Sequence, residues 1–372
     1  MWDEKRLKEI AVFNPRETLK KGAVAKRIAM EQLQPFCRDV SAFDFAAFNG
    51  GTKFRNGDTI MARITPCLEN GKMAKINVLD EDEVGFGSTE YIVLRAREEI
   101  DEDFLYYLIY SSYVREAAIK SMVGSSGRQR VQTSVLENLL IRVPPYREQQ
   151  KIGRTLKDID DKIASNRAIN KNLEEQVSAI YQAWFEDFSC SDGIRPYEWT
   201  MCPLADIADV TSGKRPPVKS TYQTKETPIP ILGASSIMGF TSAENYSDHI
   251  LVIGRVGTHG IVQRFNGSCW ASDNTLVIRS KFYEYVNQIL QRVDYHSMNR
   301  GSTQPLITQS DIKNVAVLLP DHTTLSKFEK IVASLMAVYE SNLLESTKLI
   351  VLRDTLLPRL MSGELDVSHI EL

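Results

Sequence analysis

The sequence has little of what a catalytic, metal-binding or disulfide-bonded protein needs. Its five cysteines stand far apart, with no Cys-x-x-Cys pair, which excludes a zinc ribbon and a disulfide framework. Its five histidines form no His-Glu-x-x-His motif and no cluster with cysteine at metal-ligand spacing. Its serines and cysteines lack the surroundings of a known nucleophile. We therefore predict no catalytic residue and no metal site.

Long apolar runs and a strong net charge are also missing. No run approaches the roughly 18 residues that a membrane-spanning helix requires, and the sequence begins with charged rather than apolar residues. We expect a cytoplasmic protein without a membrane partner. The formal net charge of −3 excludes the general basic coat of a histone-like protein. A polyanionic partner would have to be bound by local groups of basic side chains.

One short stretch resembles part of a methyltransferase active site but lacks the residues that the chemistry requires. Pro144, Pro145 and Tyr146 match the Pro-Pro-aromatic core of an amino-methyltransferase. The preceding Val143, however, has no amide or carboxylate to hold an exocyclic amine, and no glycine-rich cofactor loop follows a strand and opens a helix. The two prolines are better suited to the end of a strand and the first turn of a helix.

An internal repeat organises the chain of 372 residues, which is long enough for two hydrophobic cores. Four blocks recur in the same order: WDEKRLKEIAVF with WTMCPLADIADV, GDTIMARI with ILVIGRV, STEYIVLR with SDNTLVIR, and VQTSVLENLLIRVP with ITQSDIKNVAVLLP. The offset falls from 197 to 176 residues and then stays constant through the helix that follows. Loops tolerate insertions, whereas a packed helix does not. Each half is therefore predicted to be a variable domain followed by a constant helix.

Each predicted long helix carries an apolar seam with heptad spacing and polar residues at its centre. In the first copy the seam is Leu156, Ile159, Ile163, Asn166, Asn170, Leu173, Val177, Ile180 and Trp184. In the second it is Val332, Leu335, Tyr339, Asn342, Ser346, Leu349, Arg353, Leu356 and Leu360. We predict an antiparallel pair of helices with Asn170 opposite Ser346. The alternative is two separate helices, each packed on its own domain.

Basic and amide side chains recur in the predicted loops of both halves. Those of the first half are Lys20, Lys21, Lys26, Arg27, Lys53, Arg55, Arg63, Lys72, Arg128, Gln129 and Arg130. Those of the second are Lys214, Arg215, Lys219, Arg255, His259, Arg300, Thr303 and Gln304. Arginine and glutamine match guanine and adenine edges, and lysine suits phosphates. Taken singly, each is more simply explained as solvated surface, but their recurrence favours a pair of DNA-reading surfaces.

These features together resemble the specificity subunits of type I restriction-modification systems. The resemblance rests on PPYREQQKIGRTLKDIDDKIASNRAINKNLEEQ, GSTQPLITQSDIKNVAVLLP and LRDTLLPRLMSGELDV, and it covers essentially the whole chain. It implies a mixed α/β (α+β) fold with two target-recognition domains and an antiparallel coiled coil. The implied divisions are recognition domains at 1–143 and 189–319, and helical regions at 144–188 and 320–372.

The resemblance also implies partners. The chain would read double-stranded DNA with a bipartite sequence and would itself bind no cofactor. It would dock two modification subunits that use S-adenosylmethionine, and restriction subunits that use ATP and magnesium. The second helix entry, LPDHTTLSKFEK, lacks the Pro-Pro and Glu-Gln pairs of the first, which weakens the expectation that two partners dock there symmetrically. The alternatives are a subunit of a methylation-only or type II-like system, and a coiled-coil scaffold without sequence-specific DNA binding.

Overall fold

The computed structural model of this chain describes residues 2–125, 127–256, 260–298, 306–367 and 369. The chain divides into two compact units. The first consists of Met1–Ala168 and Asn342–Leu372, and the second of Ile169–Ser341. The first unit is therefore built from two stretches of chain that lie far apart in sequence. The four consecutive segments predicted from the sequence are not tested by this division and stay a prediction.

The first unit combines short strands with helices. Its strands are β1 (Asp3–Arg6), β2 (Ala11–Phe13), β3 (Val24–Ile28), β4 (Asp44–Ala47), β5 (Thr52–Phe54), β6 (Thr59–Ala62), β7 (Met73–Lys75), β8 (Gly85–Gly87), β9 (Tyr91–Ala96) and β10 (Leu140–Val143). Its helices are α1 (Leu7–Ile10), α2 (Glu102–Tyr110), α3 (Ser112–Lys120), α4 (Thr133–Glu137) and the first part of α5 (Tyr146–Tyr181). A 3-10 turn lies at Met30–Gln32.

Two four-stranded sheets form the body of the first unit, in the orders β2-β9-β6-β7 and β4-β3-β8-β5. The central strands β6 and β9 are buried along most of their length, because apolar residues occupy both faces. Helix α2 begins where the Asp101 carboxylate accepts a bond from the Phe104 N–H at 2.9 Å. Its residues from Phe104 to Tyr110 are all buried in the main core.

The second unit repeats this construction. Its strands are β11 (Thr200–Pro203), β12 (Asp209–Ser212), β13 (Ile229–Leu232), β14 (Ile237–Thr241), β15 (Ile250–Gly254), β16 (Val262–Phe265), β17 (Trp270–Ala271), β18 (Thr275–Arg279) and β19 (Ala316–Leu319). Its helices are α6 (Tyr283–Arg292), α7 (Gln309–Lys313) and the first part of α8 (His322–Ser362), with a π-helical segment at Gln182–Glu186 and 3-10 turns at Ser189–Ser191 and Leu204–Asp206.

The strand orders confirm the predicted repeat. The sheet β12-β18-β15-β16 matches β2-β9-β6-β7, and β14-β13-β17 matches β4-β3-β8. In both units the second sheet contains one parallel pair, β3 with β8 and β13 with β17, among antiparallel neighbours. The two-stranded antiparallel sheets, β1 with β10 and β11 with β19, also correspond. All four repeated sequence blocks fall on equivalent elements.

Within the first unit, the beginning of α5 packs antiparallel against the end of α8. The Asn166 amide donates to the Ser346 hydroxyl at 3.3 Å and to the Glu345 carboxylate at 2.8 Å. One helical turn earlier, Lys162 forms an ion pair with Glu345. Earlier still, Asp160 pairs with Arg353. Residue numbers fall along one helix as they rise along the other, which confirms the antiparallel coil rather than two separate helices.

Within the second unit, the end of α5 packs against the start of α8. The Asn170 amide donates to the Tyr339 carbonyl at 3.1 Å. Val177, Tyr181 and Phe185 share an apolar core with residues of α8 that include Phe328. The aromatic rings of Phe185 and Phe328 lie 5.1 Å apart in an edge-to-face arrangement.

The register of the pair differs from the predicted one by about one helical turn. Ser346 receives its bond from Asn166, not from Asn170 as predicted. Near the end of α5 the deeply buried residues are Tyr181 and Phe185, whereas the predicted seam residues Ile180 and Trp184 are half-buried. There the buried residues Val177, Tyr181 and Phe185 follow one another every four residues instead of in the heptad pattern, because the helix packs on the domain core as well as on α8. None of the predicted seam residues is exposed.

Glu329 of α8 provides a pH-dependent link to α6. Its carboxylate accepts bonds from the backbone N–H groups of Glu284 and Tyr285, at 3.1 and 2.8 Å. Burial raises the pKa of Glu329 to about 7, because the two N–H groups only partly offset the loss of water. The unfolded chain therefore loses this proton at lower pH than the folded chain does.

We predict that the free energy of unfolding falls as pH rises from about 5 to about 8. In this range the Glu329 carboxyl of the unfolded chain is ionised in water, so folding must either return its proton or bury its charge. Glu329→Gln should remove most of this fall, because an amide does not titrate in this range, and its carbonyl oxygen can still accept one of the two N–H bonds. Urea unfolding at both pH values measures it. The exposed Glu175→Gln on α5 is the control and should keep the slope of the unmodified chain; an equal slope in Glu329→Gln would contradict the prediction.

Candidate nucleic-acid interface

Equivalent loops of the two units carry open basic side chains. The loop between β2 and β3 exposes Lys20 and Lys21, and the loop between β12 and β13 exposes Lys214, Arg215 and Lys219. Among the residues that the structure describes, none of these five side chains has a hydrogen-bond or ion-pair partner. Their charges are therefore available to an external anion such as phosphate.

Arg63 and Arg255 occupy equivalent positions, directly after the central strands β6 and β15. In the first unit the Arg63 backbone N–H donates to the Glu90 carbonyl, and the Val131 N–H donates to the Arg63 carbonyl, both at 2.9 Å. In the second unit the same two bonds are made by Arg255, with the Asn274 carbonyl and the Ile307 N–H, both at 3.0 Å. The backbone thus holds Arg63 and Arg255 in the same way.

The side chains of Arg63 and Arg255 are half-buried at this junction. In each, the Nε atom is buried and has no hydrogen-bond partner among the described residues. The Arg63 Nη2 atom makes one long bond of 3.4 Å, to the Val131 carbonyl. A guanidinium whose donors are so incompletely satisfied can form strong charge-assisted bonds to a ligand.

The loop that precedes Val131 contains one fixed and two open candidate residues. Arg130 binds Glu90 through several bonds of 2.6 to 3.0 Å, and this pairing lowers the pKa of the Glu90 carboxyl. Arg128 is exposed, and Gln129 is half-buried with its backbone carbonyl accepting from the Thr65 N–H. Arg130 therefore anchors the loop, while the side chains of Arg128 and Gln129 have no partner in the part of the chain that the structure describes and can contact a ligand.

The other predicted contacts of the first unit already have partners in the protein. Lys26 is buried and pairs with Asp80 and Glu83, Arg27 pairs with Asp44, and Arg55 pairs with Glu17. Lys53 donates to the Glu17 carbonyl and Lys72 to the Met30 carbonyl. These side chains stabilise their own domain, and their role in binding DNA stays a prediction. Four predicted contacts of the second unit, His259, Arg300, Thr303 and Gln304, lie outside the described residues.

Sequence reasoning missed the acidic residues that hold this interface together. Glu17 accepts bonds from Arg55 and Arg95, and Asp58 binds the Arg95 guanidinium through both of its oxygens. The sequence holds no local signal for these pairs, because Asp58 and Glu17 lie 37 and 78 positions from Arg95.

No metal-binding or membrane-spanning feature was found in the part of the chain that is described. No three His, Cys, Asp or Glu side chains there are grouped to hold a metal ion. The five cysteines are free. Among the described residues, none of the helices has the length and apolarity needed to span a bilayer.

A family model described as type I restriction modification DNA specificity domain matches residues 1–175 and 196–353, one match for each copy of the repeat. The chain belongs to this family. Specificity subunits are the non-catalytic members of type I restriction-modification systems, which agrees with the lack of an active-site motif in the sequence.

Known specificity subunits resemble the chain over most of its length. The MjaIX specificity subunit of Methanocaldococcus jannaschii is 24% identical over 74% of this chain and 71% of its own. The HindI specificity subunit of Haemophilus influenzae is 22% identical over 84% of this chain and 87% of its own. The crystal structure of a type I S subunit from M. genitalium covers 97% of this chain and 96% of its own, with 19% identity and a TM-score of 0.60, and so shares the fold.

Proposed function

We propose that the chain reads a bipartite DNA sequence, with each unit reading one half. The observation that carries this proposal is the repetition of the same surface. Both units have an open basic loop, after β2 or β12, and at the end of a central strand an arginine, Arg63 or Arg255, whose buried Nε has no partner among the described residues. Two equivalent basic surfaces on one chain suit a target made of two separate half-sequences.

The side-chain chemistry divides the proposed work between affinity and specificity. Lys20, Lys21, Lys214, Arg215 and Lys219 would neutralise phosphates, which gives affinity that weakens with salt. Arg128 and Gln129 would read base edges from a loop that Arg130 fixes in place. The net charge of −3 supports such local contacts over general binding to a polyanion.

We further propose that the chain docks two modification subunits and also restriction subunits, and that this occurs in the cytoplasm. The partners would supply S-adenosylmethionine, ATP and magnesium, and this chain would bind none of them. Helix α8 offers a surface suited to docking, because its large apolar side chains Leu344, Val351 and Leu352 are 58%, 61% and 46% exposed. An exposed apolar helix face of this kind supports a protein partner.

Exchange of residues 1–143 for those of another specificity subunit should change one half of the target and leave the other unchanged. The reason is that each unit would carry its own reading loops. Co-expression with the modification subunit, followed by sequencing for methylated motifs, measures it. A change in both halves would contradict the division into two readers, and absence of any motif-specific methylation would favour a scaffold.

Gln129→Ala should weaken discrimination at one base position by about 1–3 kcal/mol, because an amide that bonds to a base edge would be lost. The same methylation assay, with variants of the target at each position, gives the measurement. Lys120→Ala is the control in the same domain, since Lys120 is exposed and, among the described residues, pairs only with Glu116 one turn away. A target preference identical in both variants would show that Gln129 is solvated surface.

We propose that the long helices set the spacing of the two half-targets. Insertion of two helical turns between Asn166 and Leu173, matched by an equal insertion between Asn342 and Leu349, should lengthen the preferred spacer, since each residue adds about 1.5 Å. Neither half-target should change. A methylated motif with its original spacer would contradict the proposal; an insertion in α5 alone, which breaks the pairing with α8, is the control expected to abolish methylation.

A further inference from the structure

Because the two long helices are copies of one sequence, each can in structural terms pair with the other or with the same helix of a second molecule. Helices α5 and α8 are copies of each other at a constant offset of 176 residues. They pack antiparallel and carry similar seams. The seam of α5 in one molecule could therefore also face the seam of α5 in a second molecule, and the same holds for α8. Two molecules of this chain could in principle pair α5 with α5 and α8 with α8 instead of α5 with α8.

The polar centre of the seam does not decide between these pairings. Asn166 corresponds to Asn342 in the repeat, and Asn170 corresponds to Ser346. All four are small polar residues that can donate and accept hydrogen bonds. Like and unlike pairings would therefore both place polar groups opposite polar groups at this level.

The two copies differ sharply at one buried pair of positions. In the first unit Asp160 faces Arg353, and their side chains are only 6% and 4% exposed. The repeat matches Asp160 to Met336 and Arg353 to Val177. Met336 and Val177 lie together in the apolar core of the second unit, 4% and 1% exposed. A buried ion pair in one unit is thus an apolar pair in the other.

The Asp160–Arg353 pair is fully satisfied where it lies. The Asp160 Oδ1 atom accepts from Arg353 Nη1 at 2.7 Å, and Oδ2 accepts from the Tyr107 hydroxyl at 2.7 Å. The Arg353 Nη2 atom donates to the Tyr110 hydroxyl at 2.7 Å, and Nε donates to Asp354. A buried ion pair with this many bonds tolerates burial, whereas the loss of either partner strands a charge.

Pairing of like helices would strand both charges. An antiparallel pair of α5 helices places Asp160 opposite Val177 of the second copy, and a pair of α8 helices places Arg353 opposite Met336. We infer that the Asp160–Arg353 pair makes α5 select α8 and excludes the pairing of like helices between two copies of the chain. This role does not depend on DNA binding.

Exchange of one charge at a time tests the inference on the full-length chain. Asp160→Arg places two arginines opposite each other, and Arg353→Asp places two aspartates. A mixture of the two variants restores both pairs, if α5 of each molecule packs on α8 of the other. We expect each variant alone to be weakened in its pairing by on the order of a hundredfold or more. Unfolded and refolded together, the two should form a dimer of equal parts.

Differently tagged copies and analytical ultracentrifugation measure this dimer. The control exchanges the exposed pair Lys162 and Glu345, with Lys162→Glu in one copy and Glu345→Lys in the other; these side chains are 49% and 47% exposed, so no dimer is expected. The inference is overturned if both buried variants fold as stable monomers and their mixture yields no more dimer than this control.

A second variant keeps the inference testable if the single exchanges do not fold. Asp160→Met combined with Arg353→Val gives every pairing the same Met–Val contact that the second unit already has. This chain should fold and form dimers whose share rises with protein concentration, whereas Asp160→Arg combined with Arg353→Asp should remain like the unmodified chain. A double Met–Val variant with no more dimer than the unmodified chain would overturn the inference.

Discussion

The structure depends on packing between the end of α8 and elements that come from the first half of the sequence. Leu357, Leu360 and Val367 lie in the same buried core as Leu7, Leu156 and the aromatic residues of α2. Without Leu357, Leu360 and Val367, this core would leave apolar surface of the first unit in water, at a cost of roughly 25 cal/mol for each Å². The antiparallel coil is therefore part of the domain core and not a separate connector.

Duplication explains why the two units share so much and where they differ. Elements that must pack in register, such as the central strands and the coil, keep their order and spacing. The loops differ in length and charge, and β5 of the first unit has no counterpart among the described strands of the second. This division suits a protein whose scaffold is fixed while the contacts on its surface vary.

Much of the fold followed from the sequence, because the repeat and the helical seams are long patterns that chance does not imitate. The antiparallel pairing could be predicted from the seams, but the register could not, since Asn170 and Asn166 are chemically alike and one turn apart. The interface was predicted less well, because charge alone does not show whether an arginine has an internal partner. Arg130 and Arg128 look equivalent in sequence, yet Glu90 binds only the first. Long-range pairs such as Asp160 with Arg353 leave no local pattern at all.

The discontinuous first unit has a consequence for the order of folding during synthesis. A ribosome delivers the chain from its N-terminus, and domains generally fold as they emerge. The two sheets of the first unit are made early, but the residues between 342 and 367 that close its core are made after the second unit. The second unit, which is continuous from Ile169 to Ser341, can be completed before them. The part of the protein that is translated first is thus the part that matures last.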